Sequence, residues 1–476
     1  MSAFSDFLTS KMVEKLDMQP TACQSALFSK LGAFLTSNSK KEFLMMVSGY
    51  AGTGKTSAIA ACIAVLKQLG MKYVLLAPTG RAAKVLSGFT GEKASTIHRH
   101  IYRMKTKEDP MGSFTLDFNK ANDTVYFVDE VSLISSGDGQ DSIFGSGNLL
   151  DDLLKFVRQS SSNRLVLIGD PAQLPPVGLD ISPALDAQYM KRYCPDLVTA
   201  SLTDVVRQAQ GSGILVNATN LRRQIEDGDL CPPVFDTSSF TDITAITGGS
   251  LIEDLQDAYS RYGADEVVVL CRSNQRANRY NNGIRSQVLF LEETLCRGDR
   301  LMVVKNCYQF SGQSQDFDFI ANGDMAKLVS ISRHKERYGL HFANATLAFP
   351  DYNDTEVDAK VILDTLYSKT AALDADSQRT LFEGVLADYQ DIKSKSKRYK
   401  AVREDPYYNA LQIKYSSAIT CHKSQGGQWR CVFIDNILWR DDITIDDKKW
   451  LYTALTRAQE KVFLVNFDSK YIKQNK

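Results

Sequence analysis

Metal-ligating and disulfide-forming patterns are missing from this chain of 476 residues, whose nine cysteines are scattered with no C-x-x-C pair and which has only five histidines. That excludes a disulfide framework and a zinc module, and it fits reduced thiols in a cytoplasm. No run of about 18 apolar residues occurs, so no membrane span is expected. The opening stretch MSAFSDFLTSKMVEKL has no basic segment followed by an apolar one, so no export signal is expected either. An excess of charge of one sign is also missing, because 56 basic residues cancel 56 acidic ones. Without a global positive field, a nucleic-acid partner has to be held in a local groove. What the chain does have is 43% hydrophobic residues and length for about two to four globular domains.

Residues 49–56, GYAGTGKT, fit the phosphate-loop pattern G-x-x-x-x-G-K-[ST] without a mismatch. An apolar stretch at 43–47 precedes it and a helical pattern at 57–66 follows, which is the strand, loop, helix context the motif requires. The chemistry needs glycines, here Gly49, Gly52 and Gly54, so that backbone N–H groups can turn inward around a β-phosphate. It also needs a lysine, Lys55, to reach the β and γ oxygens, and a hydroxyl, Thr56, to sit on Mg²⁺.

Upstream, Thr21 and Gln24 have the spacing of a capping box. Gln24 could instead present its amide to an adenine edge, since one carbonyl and one NH₂ match N6 and N7, and spacing alone leaves both open. Residues 73–77 read as a buried strand running into Pro78-Thr79-Gly80-Arg81. Ends of parallel strands carry ligand contacts in α/β sheets, so Thr79 and Arg81 are candidates for a second site; the alternative is a turn with an N-cap threonine. Thr96 and His98 follow a loop, where a lone histidine is more often a structural residue than a ligand. Residues 102–106 and 113–118 flank Asp109-Pro110-Met111-Gly112, whose proline and glycine suit a turn, so a β-hairpin is predicted over about 101–120.

The apolar run 125–128 ends in Asp129-Glu130, the form of a Walker B element. An aspartate there can hold Mg²⁺ through water, and the adjacent glutamate can orient or deprotonate the water that attacks a γ-phosphate. A Gly/Ser/Asp-rich stretch, 135–147, separates it from an amphipathic helix containing Leu149, Leu150, Leu153 and Leu154. A further strand, 164–168, places Gln173 just beyond its end, where it could touch a γ-phosphate or its water.

The motifs GYAGTGKT, APTGRAAK, ASTIH, VDEVS and GDPAQLPPVG occur in that order and are followed by LTDVVRQ (202–208), HKSQGGQ (422–428) and YTALTRA (452–458). Together they resemble superfamily 1B DNA helicases, in the branch containing RecD and the phage Dda helicase, and the resemblance spans residues 21–458. It implies an α/β fold of two RecA-like P-loop domains in tandem with ATP in the cleft between them. A β-hairpin is inserted in the first domain, and a small SH3-like β-barrel with helical elaboration in the second. The implied limits are 1–195 for the first domain, 196–332 with 413–476 for the second, and 333–412 for the barrel.

Carried onto this chain, the resemblance gives Gln24 to adenine, Lys55 and Thr56 to the phosphates and Mg²⁺, and Asp129 and Glu130 to the metal and the water. Gln173 goes to the γ-phosphate, and Gly426 joins the nucleotide set. Arg207 and Arg457 become arginine fingers from the second domain, because guanidinium groups crossing a cleft stabilise charge only when the cleft closes. Single-stranded DNA is expected across both domains, touched by Thr79, Arg81, Thr96 and His98 on the first and by Thr420, His422 and Ser424 on the second. These are polar residues at strand ends or in the loops beyond them, as phosphate contacts require. The hairpin is expected to part a forked duplex, with Met111 and Phe114 near its tip offering apolar surface to the terminal base pair; the alternative is a decorative surface hairpin.

The stretch 135–147 is longer than this family's Walker B is followed by, and the basic run 393–400 is either a solvated face or a phosphate-binding one. The expected activity is ATP-dependent 5′ to 3′ DNA unwinding and single-strand translocation by a compact Dda-type motor, with the family's roles in DNA repair, replication and recombination. An RNA or ribonucleoprotein remodeller is the second reading. A non-catalytic nucleic-acid-binding subunit is the third, and the intact Lys55, Thr56, Asp129, Glu130, Gln173, Arg207 and Arg457 speak against it.

Overall fold

The structure, a computed structural model, describes residues 3–16, 18–104, 114–137, 144–206, 211–307, 309–310, 320–440 and 442–473. Apolar runs without alternation make strands buried on both faces, and such strands form parallel sheets. In chain order these are β1 (Leu44–Gly49), β2 (Lys72–Ala77), β3 (Ala94–Thr96), the hairpin strands β4 (Tyr102–Met104) and β5 (Phe114–Leu116), β6 (Thr124–Val128), β7 (Arg164–Gly169) and β8 (Val198–Leu202). All but the hairpin join one sheet in the order β3-β2-β6-β7-β1-β8, parallel at every pairing. The P-loop leaves the end of β1 and enters the helix Lys55–Gln68, as its flanks predict. The expected limit at residue 195 falls one strand early, because β8 pairs with β1 from Met45↔Val198 to Gly49↔Leu202. Its burial alternates as on an edge strand, which a search for apolar runs passes over.

The chain continues through β9 (Ile243–Ile246), β10 (Val267–Cys271), β11 (Arg300–Val303), β12 (Met325–Arg337), β13 (Leu340–Phe349), β14 (Thr355–Ile362), β15 (Leu411–Tyr415), β16 (Ala418–Thr420), β17 (Trp429–Asp435) and β18 (Ala458–Val465). A second parallel sheet has the order β16-β10-β17-β18-β9, and β11 to β15 close into a barrel. The barrel therefore occupies 300–415 and not 333–412: the Gly-Asp turns before β11 and β12 lead into barrel strands and not into RecA-like ones. Helices Ala375–Asp388 and Lys395–Glu404 lie between β14 and β15 and pack Leu381, Val385 and Val402 against Leu340, Phe342 and Ile362. Lys395, Lys397 and Lys400 of the basic run are exposed.

The core of the second sheet does not stop at the domain limit. It takes in Ala172 and Leu174 from the loop after β7, with Tyr50 and Ala51 of the P-loop packed against it. Apolar side chains of the two nucleotide-loop segments are thus covered by the other domain. Among the described residues no helix is long and apolar enough to cross a membrane.

The hairpin exists at its base, with Tyr102↔Leu116 and Met104↔Phe114 in register. Its turn, including Met111, lies outside the described residues. Phe114 is 5% exposed, and its ring sits 4.8 Å from that of Phe144, within the core that also holds Ile97, Ile101 and Tyr102. The expectation that Phe114 offers a free apolar face at the hairpin tip is therefore corrected: a large apolar ring at the base gains more from burial than from exposure. Phe114→Ala should leave a cavity and lower stability by about 3 kcal/mol, read as a fall in the urea midpoint. A surface wedge residue would shift it by less than about 0.5 kcal/mol.

Candidate nucleotide and nucleic-acid site

Lys55 Nζ donates to the carbonyls of Gly49 (2.7 Å) and Tyr50 (3.0 Å) and lies 3.8 Å from Asp170 Oδ2 at the end of β7. Gly54 begins the P-loop helix at φ 74°, and a Cβ there would stand 2.4 Å from Gln24 Nε2. Only glycine fits, by conformation and by space. Gln24 is 1% exposed; its Oε1 accepts from Thr21 N (3.0 Å) and its Nε2 donates to Thr53 O (3.3 Å). The capping box is present, and the same amide braces the P-loop.

Asp129 and Glu130 follow β6 directly. Glu130 N donates to Asp129 Oδ1 at 2.8 Å. Burial, with the neighbouring Glu130 carboxylate, pushes the Asp129 carboxyl up to about 6, and Lys55 partly offsets this. A carboxylate held there is poised to gain from a cation. Glu130 itself has left-handed backbone, φ 53° and ψ 39°, which for a side chain of this size costs roughly 1–2 kcal/mol and is a form of strain concentrated at functional sites. Gln173 is 5% exposed, yet its Oε1 has no hydrogen-bond partner among the described residues. A buried acceptor left unpaired is costly.

From the other side comes one helix, Ile445–Leu455, buried from Asp447 to its end. Tyr452 donates its hydroxyl to Asp170 Oδ2 (2.7 Å) and accepts from Ala51 N of the P-loop (2.8 Å). Thr453 Oγ1 accepts from Leu174 N (2.8 Å), and Gln425 Nε2 donates to Leu174 O (2.6 Å). Arg457, just past the helix, donates to the carbonyls of Thr453 (3.2 Å) and Gly427 (3.3 Å), and its Nη1 stands 3.9 Å from Glu130 Oε1. Lys55, Asp129, Glu130 and Arg457 are therefore brought to one cleft, and Gln173 lies in the loop after β7 beside it. Arg207 lies outside the described residues. The motif reading missed Asp170, Tyr452 and Thr453, although polar side chains inside an apolar helix were the available signal.

The expected strand-binding residues divide. Thr79 and Thr96 cap helices, accepting from Ala82 N (3.2 Å) and Arg99 N (3.3 Å). Arg81 is turned into the domain seam: it donates to Gln428 O (3.2 Å) and stacks 3.9 Å above the Trp429 ring. His98, half-buried, packs its ring 4.9 Å from that of Phe144, and burial pushes its pKa down to about 4, so the ring is neutral. Ser424 is fully buried, its hydroxyl donated to Cys421 O (2.7 Å). Ser424 is thus not placed to touch a strand, which corrects that expectation, while Arg81 and His98, both half-buried, already have partners within the chain. Thr420 is half-buried and His422 exposed. Gly426, expected beside the nucleotide, has φ 74° and faces the Gly80–Thr90 helix, where a Cβ would stand 2.8 Å from Ala82 Cβ and 3.1 Å from Thr79 Oγ1. A cavity of about 710 Å³ opens between this helix and the barrel, lined by Lys84, Thr96, Arg99, Asp351 and Tyr352.

Residues 32–230 match the AAA domain model, and residues 415–465 match the UvrD-like helicase C-terminal domain model. The ATP-dependent RecD2 DNA helicase of Deinococcus radiodurans is 25% identical over 88% of this chain, and the ATP-dependent DNA helicase dda of enterobacteria phage T4 is 24% identical over 90%. The chain spans less than half of the length of RecD2, 46%, and 95% of that of Dda. Among solved structures, the Pif1 helicase from Bacteroides in complex with ADP-AlF3 and ssDNA is 14% identical, with 96% of this chain and 95% of that one covered and a TM-score of 0.46. Two parallel α/β sheets thus bring a P-loop and an arginine to the two sides of one cleft. The chain is similar to the RecD2 and Dda helicases and carries an AAA domain followed by a UvrD-like helicase C-terminal domain.

Arg81 generates a direct check on the seam. Arg81→Ala should remove the stack and one hydrogen bond, cost about 1–2 kcal/mol, and shift tryptophan emission to the red as Trp429 gains water. Unchanged emission would mean that the guanidinium does not cover the indole in solution.

Proposed function

We propose that the chain is an ATP-dependent DNA helicase that translocates 5′ to 3′ on single strands and unwinds forked duplex. The observation that carries this reading is the approach of Arg457 to Glu130: an arginine held entirely by the second domain stands 3.9 Å from the acid that ends β6 in the first. Thr56 and Asp129 would hold Mg²⁺, which supplies charge neutralisation at the β- and γ-oxygens. Two protein donors suit an ion that keeps several waters and shares phosphate oxygens.

The chain's own residues do the rest. Lys55 exchanges its loop carbonyls for phosphate oxygens, and Gln24 sets the P-loop against the adenine side. Glu130 orients the attacking water and takes its proton, and the unpaired Oε1 of Gln173 accepts a hydrogen from that water. Arg457, with Arg207, stabilises the charge that develops on the γ-phosphate, so turnover depends on closure. The proposed domains are 1–202, then 203–299 with 416–476, with the barrel at 300–415 inserted in the second. The strand runs over Thr79, Thr96, Thr420 and His422, with the cavity lined by Lys84 and Arg99 beside it. Met111 lies at the proposed pin. The 5′ to 3′ direction rests on the resemblance of the ordered motifs to superfamily 1B alone.

ATPase activity is expected to be weak alone and to rise strongly with single-stranded DNA but not with single-stranded RNA, and Lys55→Ala should abolish it while sparing DNA binding. Forks with a 5′ tail should be unwound and those with a 3′ tail should not. Turnover retained in Lys55→Ala would place the nucleotide elsewhere, and unwinding from the 3′ tail alone would reverse the polarity.

A further inference from the structure

The crest of the P-loop is gripped by the opposite domain through one hydroxyl. Ala51 N, between Gly49 and Gly54, donates to Tyr452 Oη at 2.8 Å, and that hydroxyl donates to Asp170 Oδ2 at 2.7 Å. Tyr452 is 1% exposed, so its hydroxyl is out of reach of bulk solvent. Asp170 is committed too: its Oδ1 accepts from Ala172 N (2.9 Å), and Lys55 Nζ lies 3.8 Å from its Oδ2. One phenol of the second domain thereby touches both the loop that holds Lys55 and the strand end that carries Gln173. Packing alone does not require the hydroxyl, because phenylalanine fills the same volume. Without it, Ala51 N–H and Asp170 would each lose a partner in a buried seam, the costly form of an unmade hydrogen bond.

We propose that Tyr452 is a positioning residue: its hydroxyl fixes the P-loop crest relative to Asp170 only while the second domain is docked, so that closure of the cleft, and not nucleotide occupancy alone, sets the geometry for turnover. This rests on the reading of the site as one that hydrolyses ATP. It assigns to the segment YTALTRA a second job beside delivery of Arg457.

Two measurements on the full chain test it. In the nucleotide-free protein, Tyr452→Phe should speed amide hydrogen exchange in peptides covering 49–56 by roughly fivefold or more, because Ala51 N–H loses its acceptor. Thr453→Val, which removes the bond from Leu174 N, should instead speed exchange around 173–175 and leave 49–56 as in the wild type. In steady-state ATPase assays with saturating single-stranded DNA, Tyr452→Phe should lower kcat by about tenfold and change KM for ATP by less than about twofold, the pattern of lost positioning and not of lost binding. Unchanged exchange at 49–56 overturns the proposal, and so does a rise in KM with kcat unchanged. The two readings fail separately. A wild-type chain that hydrolyses no ATP with any polymer sinks the helicase reading, while the exchange experiment still decides whether the hydroxyl holds the loop.

Discussion

The structure depends on a helix that is buried on all sides and yet polar. From Asp447 to Leu455 every residue of Ile445–Leu455 is buried, including Asp447, Lys448, Lys449, Tyr452 and Thr453. Burying such groups is unfavourable unless each finds a partner, and these five do, although the indole N–H of Trp450 has none among the described residues. Asp447 pairs with Arg272 and its carboxylate accepts from Thr444 N of the N-cap, Lys448 donates to the carbonyl of Asp229, and Lys449 donates to the carbonyl of Asp180 at 2.6 Å. Burial lowers the pKa of both lysines. Lys449, Tyr452 and Thr453 reach into the first domain, so one turn and a half of helix reads the loop after β7, the P-loop and the end of β7 together.

The seam combines directed hydrogen bonds with apolar contacts of Tyr50, Ala51, Ala172 and Leu174 against the second-domain core. Each hydrogen bond contributes only about 1 kcal/mol net. The geometry they set is nevertheless sharp, because each bond fails within a small displacement. The barrel adds a second tie: Lys84 donates to Pro350 O at 2.7 Å and lies 3.5 Å from Asp351, joining the Gly80–Thr90 helix of the first domain to a turn of the inserted unit. Motion between the parts therefore has to break specific contacts at Lys84, Arg81 and Tyr452.

The P-loop half of the candidate site was legible in the sequence as structure because its constraints are local. Strand, glycine loop, lysine and helix are contiguous at 43–68, and two carboxylates at a strand end need only β6 to place them. What was not legible depended on distant partners. Arg81 and Ser424 are polar residues at the places where strand contacts belong, but Gln428 and Trp429 claim the first and a local helical turn claims the second. Phe114 reads as a tip residue until Phe144, far along the chain, covers it. β8 escaped notice because an edge strand lacks an apolar run. The barrel limits slipped because short strands with Gly-Asp turns look alike in either kind of sheet. Tyr452 sat inside a quoted motif, but its acceptor and donor are hundreds of residues upstream.

The account as a whole turns on a guanidinium of one domain acting in the chemistry of the other. The most direct measurement is ATP turnover by Arg457→Ala at saturating single-stranded DNA, with nucleotide affinity determined in parallel. The account predicts a fall in kcat of roughly 10³-fold or more with affinity affected much less. An unchanged kcat, with or without a loss of affinity, would contradict it.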